Sequence, residues 1–430
     1  MSLLIYNARL IDPATGRDEP GGLLIENGAI ADLGAHLATP PQGTMEGLDA
    51  QGRCLAPGLV DLRVKTGEPG EEQRETLETA AHAAVSGGIT SFVVMPDTDP
   101  VIDDVALIQF LTHPDPARVM TRVYAAGALT VGLAGTAMAE IGLMREAGAV
   151  MFTNGDQPVA DPGVMKRAMA YAASHGALIA SRPDTLALRG RGVMNSGAFA
   201  ARLGLAGIPR EAEWIGAMRD LTLAEATGCR LVLDQVSTAR TLELVAESRA
   251  RGAAVACTVA AHHLTFNELD VGDYLTYCKV NPPFRSEADR QALIAGLAAG
   301  VVDAVVSAHD PQPPEAKRLP FAEAAFGAAG LETLLAAVIG LVQDGLLDLA
   351  TALRPLTCGP ADLIGLPQGR LSPGAPADLI LFDPDAPWKC EREAMRSRST
   401  NSPFDGRLLT GRVKRTFIGG KTVFDSEAPI

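Results

Sequence analysis

In the stretch PGLVDLRVKTGEPG, running from Pro57 to Gly70, one carboxylate and two cations alternate with apolar residues as Asp61, Arg63 and Lys65. Alternate residues of an extended chain share a face, so Val60, Leu62 and Val64 point toward packed helices and the three charged residues point into the mouth that the strand borders. Neither cation is a metal ligand in its ordinary state. A guanidinium keeps its proton near neutral pH, and an ammonium must lose one before it can offer a lone pair. The seven histidines do not assemble an obvious replacement. His36, His82 and His113 lie in polar or helical stretches suited to solvated surface, and His175 sits beside a helix-ending glycine, where a contact with the helix C-terminus explains it. His262 and His263 are adjacent, so in an extended segment they face opposite ways. His309 with Asp310, at the end of an apolar run, is the best remaining pair, and two ligands make a weak metal site. Six cysteines, Cys54, Cys229, Cys257, Cys278, Cys358 and Cys390, show no CxxC spacing and read as reduced core residues.

The elements that must position these groups are legible as runs and turns. Between about residues 56 and 365, strand-like runs such as GITSFVVMPDT, RVYAAGAL, GAVMFTNGD, GALIASRPD, CRLVLDQVST, AAVACTVAAHHL and VDAVVSAHD alternate with helical spacing, as over 73–87 and 164–175. This rhythm predicts an α/β fold, a (β/α)8 TIM-like barrel with functional residues where strands end and loops begin. Short strand-like runs at both chain ends predict a small composite β domain, a β-sandwich built from 1–54 and 366–430 around a barrel of 55–365. At 430 residues and 47% hydrophobic, the chain is long enough for both. A formal net charge of −14 with no long basic run argues against nucleic acid and anionic membrane surfaces as partners. No apolar run approaches the roughly 18 residues of a membrane span, and the N-terminus lacks a signal-peptide pattern, so a cytoplasmic location is expected.

The block APGLVDLRVKTGEPGEEQRETLETAAHAAVSGGITSFVVMPDTDPVIDD resembles the opening of dihydroorotases of the amidohydrolase superfamily. The blocks GVMNSGAFAARLGLAGIPREAEW, QVSTARTLEL, AAHHLTFNELD, KVNPPFR, FAEAAFGAAGLETLL, GAPADLILFDPD and NSPFDGRLLTGRVKRTFIGGK agree in order along nearly the whole chain. The resemblance implies an Asp-x-His-x-His on the first barrel strand, two later metal-binding histidines, a bridging acid and a catalytic aspartate after the last strand. Carried over by position, the two strand histidines fall on Arg63 and Lys65, and the following arginine on Gly67. The bridging acid falls on Asn154, with Asp156 close by. The later histidines fall on Ser181 and Gln235, and the catalytic aspartate on Ala308. Asp97 stands where the family has a substrate-holding asparagine, and Asn281 remains in the NPPFR loop, so Asp97, Asn281, His309 and Asp310 are read as a vestigial pocket. In this reading Arg63 and Lys65, with Arg182, fill the vacated metal site and pair with carboxylates such as Asp61, Asp97 or Asp310.

Two cations where a divalent ion should sit repel it. Unit charges about 4 Å apart interact by roughly 4 kcal/mol at an effective dielectric of 20, and with Ala308 no obvious base remains to activate water. The losses look like a dihydroorotase-like branch without metal ligands whose members are non-catalytic partners of aspartate carbamoyltransferase. The expectation is therefore a chain that is not itself an enzyme, without cofactors, serving as an assembly subunit of that transferase's catalytic chain in pyrimidine biosynthesis, in homo- and hetero-oligomers. The alternative is an active, zinc-dependent dihydroorotase that interconverts N-carbamoyl-aspartate and dihydroorotate.

Overall fold

The computed structural model describes residues 2–427. Eight strands form one all-parallel sheet: β1 (Leu59–Val64), β2 (Ile89–Val94), β3 (Arg122–Ala128), β4 (Met151–Thr153), β5 (Leu178–Ser181), β6 (Arg230–Leu233), β7 (Val255–Ala260) and β8 (Ala304–Val306). Each pairs with the next in chain order. A parallel bridge from Val64 to His309 joins the first strand to the residues after the last, with the Lys65 amide donating to the His309 carbonyl at 2.9 Å. The sheet thereby closes on itself as a TIM-like barrel.

Every strand contributes to an inner cluster, mostly with small or branched residues such as Val60, Val93, Ala126, Val232 and Val306. Their neighbours in the chain, such as Leu59, Phe92, Ile179 and Val305, join the layer between sheet and helices. The connecting helices start and stop at local signals. The helix Leu77–Ser86 begins at Thr76, whose hydroxyl accepts from the Thr79 amide in a capping box, and Gly87 caps its other end. It starts four residues later than the spacing from residue 73 predicts, because Glu75 turns away to accept from Ser397 and the Arg398 amide. The helix Pro162–Ser174 begins with proline at its first position behind the Asp161 cap. His175 ends it, its ring 4.3 Å from that of Tyr171.

The chain ends form one further hydrogen-bonded sheet. The strand Cys54–Pro57 sits at its centre, parallel to Ser2–Asp12 and antiparallel to Leu379–Lys389. Ile5, Leu10, Leu23, Leu55, Leu379 and Phe417 make its own core. Because Cys54–Pro57 runs within two residues of β1, this sheet anchors the first barrel strand.

Along β1 the strict alternation expected from sequence does not hold. The pairing to β2 slips between Asp61 and Val64, so one extra residue lies on β1. Val60 and Leu62 consequently join the inner cluster, while Val64 joins the outer layer with Leu59. A bulge of this kind re-aims the residues that follow it. Arg63 and Lys65 point into the mouth, and Asp61 does not share their direction.

Candidate functional site

At the C-terminal ends of the strands, side chains from six barrel segments meet over the inner cluster. Arg63 Nη1 donates to Asp234 Oδ2 at 2.5 Å and its Nη2 to Asp156 Oδ1 at 2.6 Å. Lys65 Nζ lies 2.5 Å from Asp156 Oδ2, 2.8 Å from Asp97 Oδ2 and 3.3 Å from Asp310 Oδ2. Arg182 also donates to Asp156 Oδ1, and Arg74 Nη2 reaches Asp310 Oδ1 at 3.0 Å. Four cations therefore interlock with four carboxylates, and Asp156 alone serves three of the cations.

Burial lowers the pKa of an ammonium, yet Asp156, Asp310 and Asp97 outweigh burial at Lys65 and hold its pKa above the usual lysine value. Burial is likewise outweighed at Arg63 by Asp234 and Asp156, so its pKa is raised. Burial would push Asp156 up, but Lys65, Arg182 and Arg63 hold it well below the ordinary carboxylate value. All three stay charged near neutral pH. Beneath them Asp61, fully buried, accepts from the backbone amides of Arg63 and Ser307, each at 3.2 Å. Its Oδ2 has no partner, and burial pushes its pKa up to about 6. Asp61 makes no ion pair with Arg63 or Lys65, which corrects its expected place among their partners; the bulge turns it toward backbone donors instead.

The other residues singled out by position divide into two groups. Asn154 accepts from the Thr130 amide and hydroxyl, and Ser181 Oγ donates to Asp220 at 2.7 Å, so both are committed to the scaffold. Gln235, Asn281, Asp310 and Ala308 line a cavity of about 20 Å³ together with Arg63, Lys65 and His262. Gln235 and Ala308 both have positive φ, 56° and 51°, a left-handed conformation uncommon outside glycine and frequent where a site imposes strain. Gly67 also has positive φ, 71°, and its Cβ position would lie 2.6 Å from the Glu71 carbonyl, so no larger residue fits there without movement.

The two adjacent histidines contribute little charge. His262 and His263 lie on a short helix, Ala261–Thr265, rather than an extended segment, and their rings stand 4.7 Å apart. Both are buried; burial holds His262 well below the usual value and His263 down at about 3. His309 is placed with Asp310 by sequence, but its ring turns away. Its Nδ1 accepts from the Gly330 amide at 3.2 Å and its Nε2 faces Glu75 at 3.4 Å, outside the cavity. The His309–Asp310 pair therefore does not form, because successive residues of this extended segment face opposite ways. Asp234, Arg74 and Glu75 were not singled out by sequence. Asp234 had one available signal, its position next to Gln235 at the end of β6.

These residues do not fit a divalent ion. Each of the four carboxylates is already engaged by at least one cation, and the Lys65 ammonium stands among three of them. Among the described residues, no group of three or more His, Cys, Asp or Glu side chains is arranged to hold a metal.

Comparison with known proteins gives a consistent family relation. Residues 52–241 match the dihydro-orotase-like family and residues 281–424 the amidohydrolase family. A protein named dihydroorotase from Pelobacter propionicus is 39% identical over 424 residues, covering 99% of this chain and all of its own. Another so named, from Pelotomaculum thermopropionicum, is 41% identical and covers 98% of both chains. Among solved structures, L-hydantoinase (dihydropyrimidinase) from Arthrobacter aurescens superposes with a TM-score of 0.89 at 26% identity, over 100% of this chain and 97% of that one. Full-length relatives carrying an enzyme's name overturn the expectation of a chain that is not an enzyme. The expectation of no cofactor falls with it, since the resemblance is to a metal-dependent family. The misfit of the mouth to a divalent ion stands beside that correction as a property of these side chains.

Proposed function

The chain belongs to the dihydroorotase-like amidohydrolase family, and on that premise we propose that it interconverts N-carbamoyl-aspartate and dihydroorotate, opening and closing a cyclic amide. What carries this reading is the full-length likeness to proteins named dihydroorotase, joined to a polar centre at the strand ends of the barrel, where such folds place their chemistry. No step is routed through a metal, because the donor set does not suit one. An amide carbonyl set against the Lys65 ammonium develops its negative charge beside a fixed cation. In this reading Asp97 Oδ1, which has no hydrogen-bond partner, accepts the proton of the attacking water and returns it to the departing ring nitrogen as the C–N bond breaks. The test is ring opening of dihydroorotate by the purified chain, with and without added zinc, followed by chromatography of N-carbamoyl-aspartate. Turnover that is lost in Lys65→Met and Asp97→Asn is expected. No product at stoichiometric enzyme in either condition overturns the reading.

The interlocked mouth also favours a reading about partners. Charges satisfied within the chain keep the surrounding loops ordered without a ligand, which suits a surface that another protein recognises. In this reading the chain assembles with the catalytic chain of aspartate carbamoyltransferase, in homo- and hetero-oligomers. Co-elution of the two purified chains supports it, and separate elution at micromolar concentrations overturns it.

A further inference from the structure

Gln235 is the buried carboxamide that the charge network leaves free. It is 4% exposed, and its Oε1 has no hydrogen-bond partner although it lines the mouth. It borders two small cavities, one of about 20 Å³ beside Arg63 and Lys65 and one of about 10 Å³ beside Arg182 and Arg285. Asn281 stands with it in both.

The backbone around Gln235 is held in place by the same network. Its φ is 56°, and its amide donates to Thr258 Oγ1 at 2.8 Å. That hydroxyl in turn donates to Asp234 Oδ1 at 2.8 Å, and Asp234 is the partner of Arg63. The next amide, of Val236, donates to the Thr258 carbonyl at 2.8 Å. A left-handed glutamine fixed from both sides presents its side chain to the mouth in one orientation, and strain over-determined in this way is characteristic of ligand sites. The cations nearby cannot satisfy its oxygen, since Arg63 and Lys65 are already spent on carboxylates.

We propose that Gln235 reads the amide edge of the ligand, its Oε1 accepting a ring N–H and its Nε2 donating to the adjacent ring carbonyl. The ligand class is a small cyclic amide or ureide with an unsubstituted N–H, and the identity of that ring rests on the function proposed above. A six-membered ring needs more room than the cavity offers, so entry requires movement of its lining, two of whose residues, Asp310 and Gly327, flank the segment 311–326. That segment is stapled by Lys317 Nζ, which donates to the carbonyls of Thr276, Lys279 and Ala325 at 3.2, 3.2 and 2.8 Å.

The test is calorimetric titration of the full chain with 5,6-dihydrouracil and with its 1,3-dimethyl derivative, which keeps the ring and both carbonyls and has no ring N–H. The unmodified chain is expected to bind the N–H ligand at least about tenfold more tightly than the methylated one, the discrimination of one good hydrogen bond. Gln235→Leu abolishes that preference, and Gln235→Glu, which keeps an acceptor oxygen, retains it. Equal affinity for the two ligands in the unmodified chain, an unchanged preference in Gln235→Leu, or no binding of either ligand overturns the proposal. Gln235-dependent binding without hydrolysis of dihydroorotate would leave this inference standing while the proposed reaction fails. Hydrolysis with an unchanged KM in Gln235→Leu would do the reverse.

Discussion

Replacing Asp156 by asparagine removes the one carboxylate that three cations share. Arg63 keeps Asp234, and Lys65 keeps Asp97 and Asp310, but Arg182 makes no other ion pair among the described residues and its side chain is 4% exposed. At about 2.6 Å and an effective dielectric of 20, each lost contact is worth roughly 6 kcal/mol of Coulomb attraction before desolvation. Much of that offsets the cost of burying the charges, and breaking a buried pair from one side costs about 3–5 kcal/mol in net stability. Asp156→Asn is therefore expected to lower the free energy of unfolding in urea by about 3–5 kcal/mol. Arg182→Met in the same chain removes the stranded charge and should restore at least about 2 kcal/mol of it, a coupling measured by the double-mutant cycle. The sign of the pH dependence follows from the depressed pKa of Asp156. Its stabilisation is complete above the unfolded carboxylate value of about 3.9 and is lost as pH falls through the lower folded value. A loss below about 1 kcal/mol, or a double variant no more stable than Asp156→Asn, would refute the view that Asp156 holds the mouth together.

Asp61 carries the opposite sign. With a folded pKa raised to about 6, it binds its proton in the folded chain over a window where the unfolded chain has released it, so its contribution to stability falls as pH rises from about 4 to 6 and stays reduced above. Asp61→Asn, compared with the parent by urea unfolding at pH 4 and pH 8, should gain about 2.5 kcal/mol relative to it over that interval; parallel profiles would show that the carboxyl is not held in its acid form. Gly330→Ala places a methyl 2.3 Å from the Ser307 carbonyl, where backbone must move, so a sharp loss of soluble yield is expected. Gly340→Ala, inside a helix with nothing within 4 Å of the new methyl, should instead stabilise by about 0.5–1 kcal/mol in the same unfolding assay.

The barrel strands were legible because each is a short apolar run closed by turn residues, a local pattern that needs no knowledge of its neighbours. All seven runs picked out after the first strand, from GITSFVVMPDT to VDAVVSAHD, contain a barrel strand. The small sheet was legible in the same way from both chain ends. Around the mouth, sequence identified three of the four cations, because Arg63 and Lys65 stand at the end of one strand and Arg182 follows another, and it missed Arg74 in the loop beyond. It named Asp97 and Asp310 among their partners, both of which meet Lys65, but not Asp156 or Asp234. Asp156 and Asp234 lie 93 and 171 residues from Arg63, and no local spacing encodes a pairing that exists only after eight strands close. The slip between Asp61 and Val64 was hidden too, since a bulge is set by the register with β2 and not by the residues of β1. Side-chain types along the chain determined that this centre would be charged. Only barrel closure decided that the charges would neutralise one another, because ion pairing depends on distances of a few ångströms that the folded sheet alone establishes.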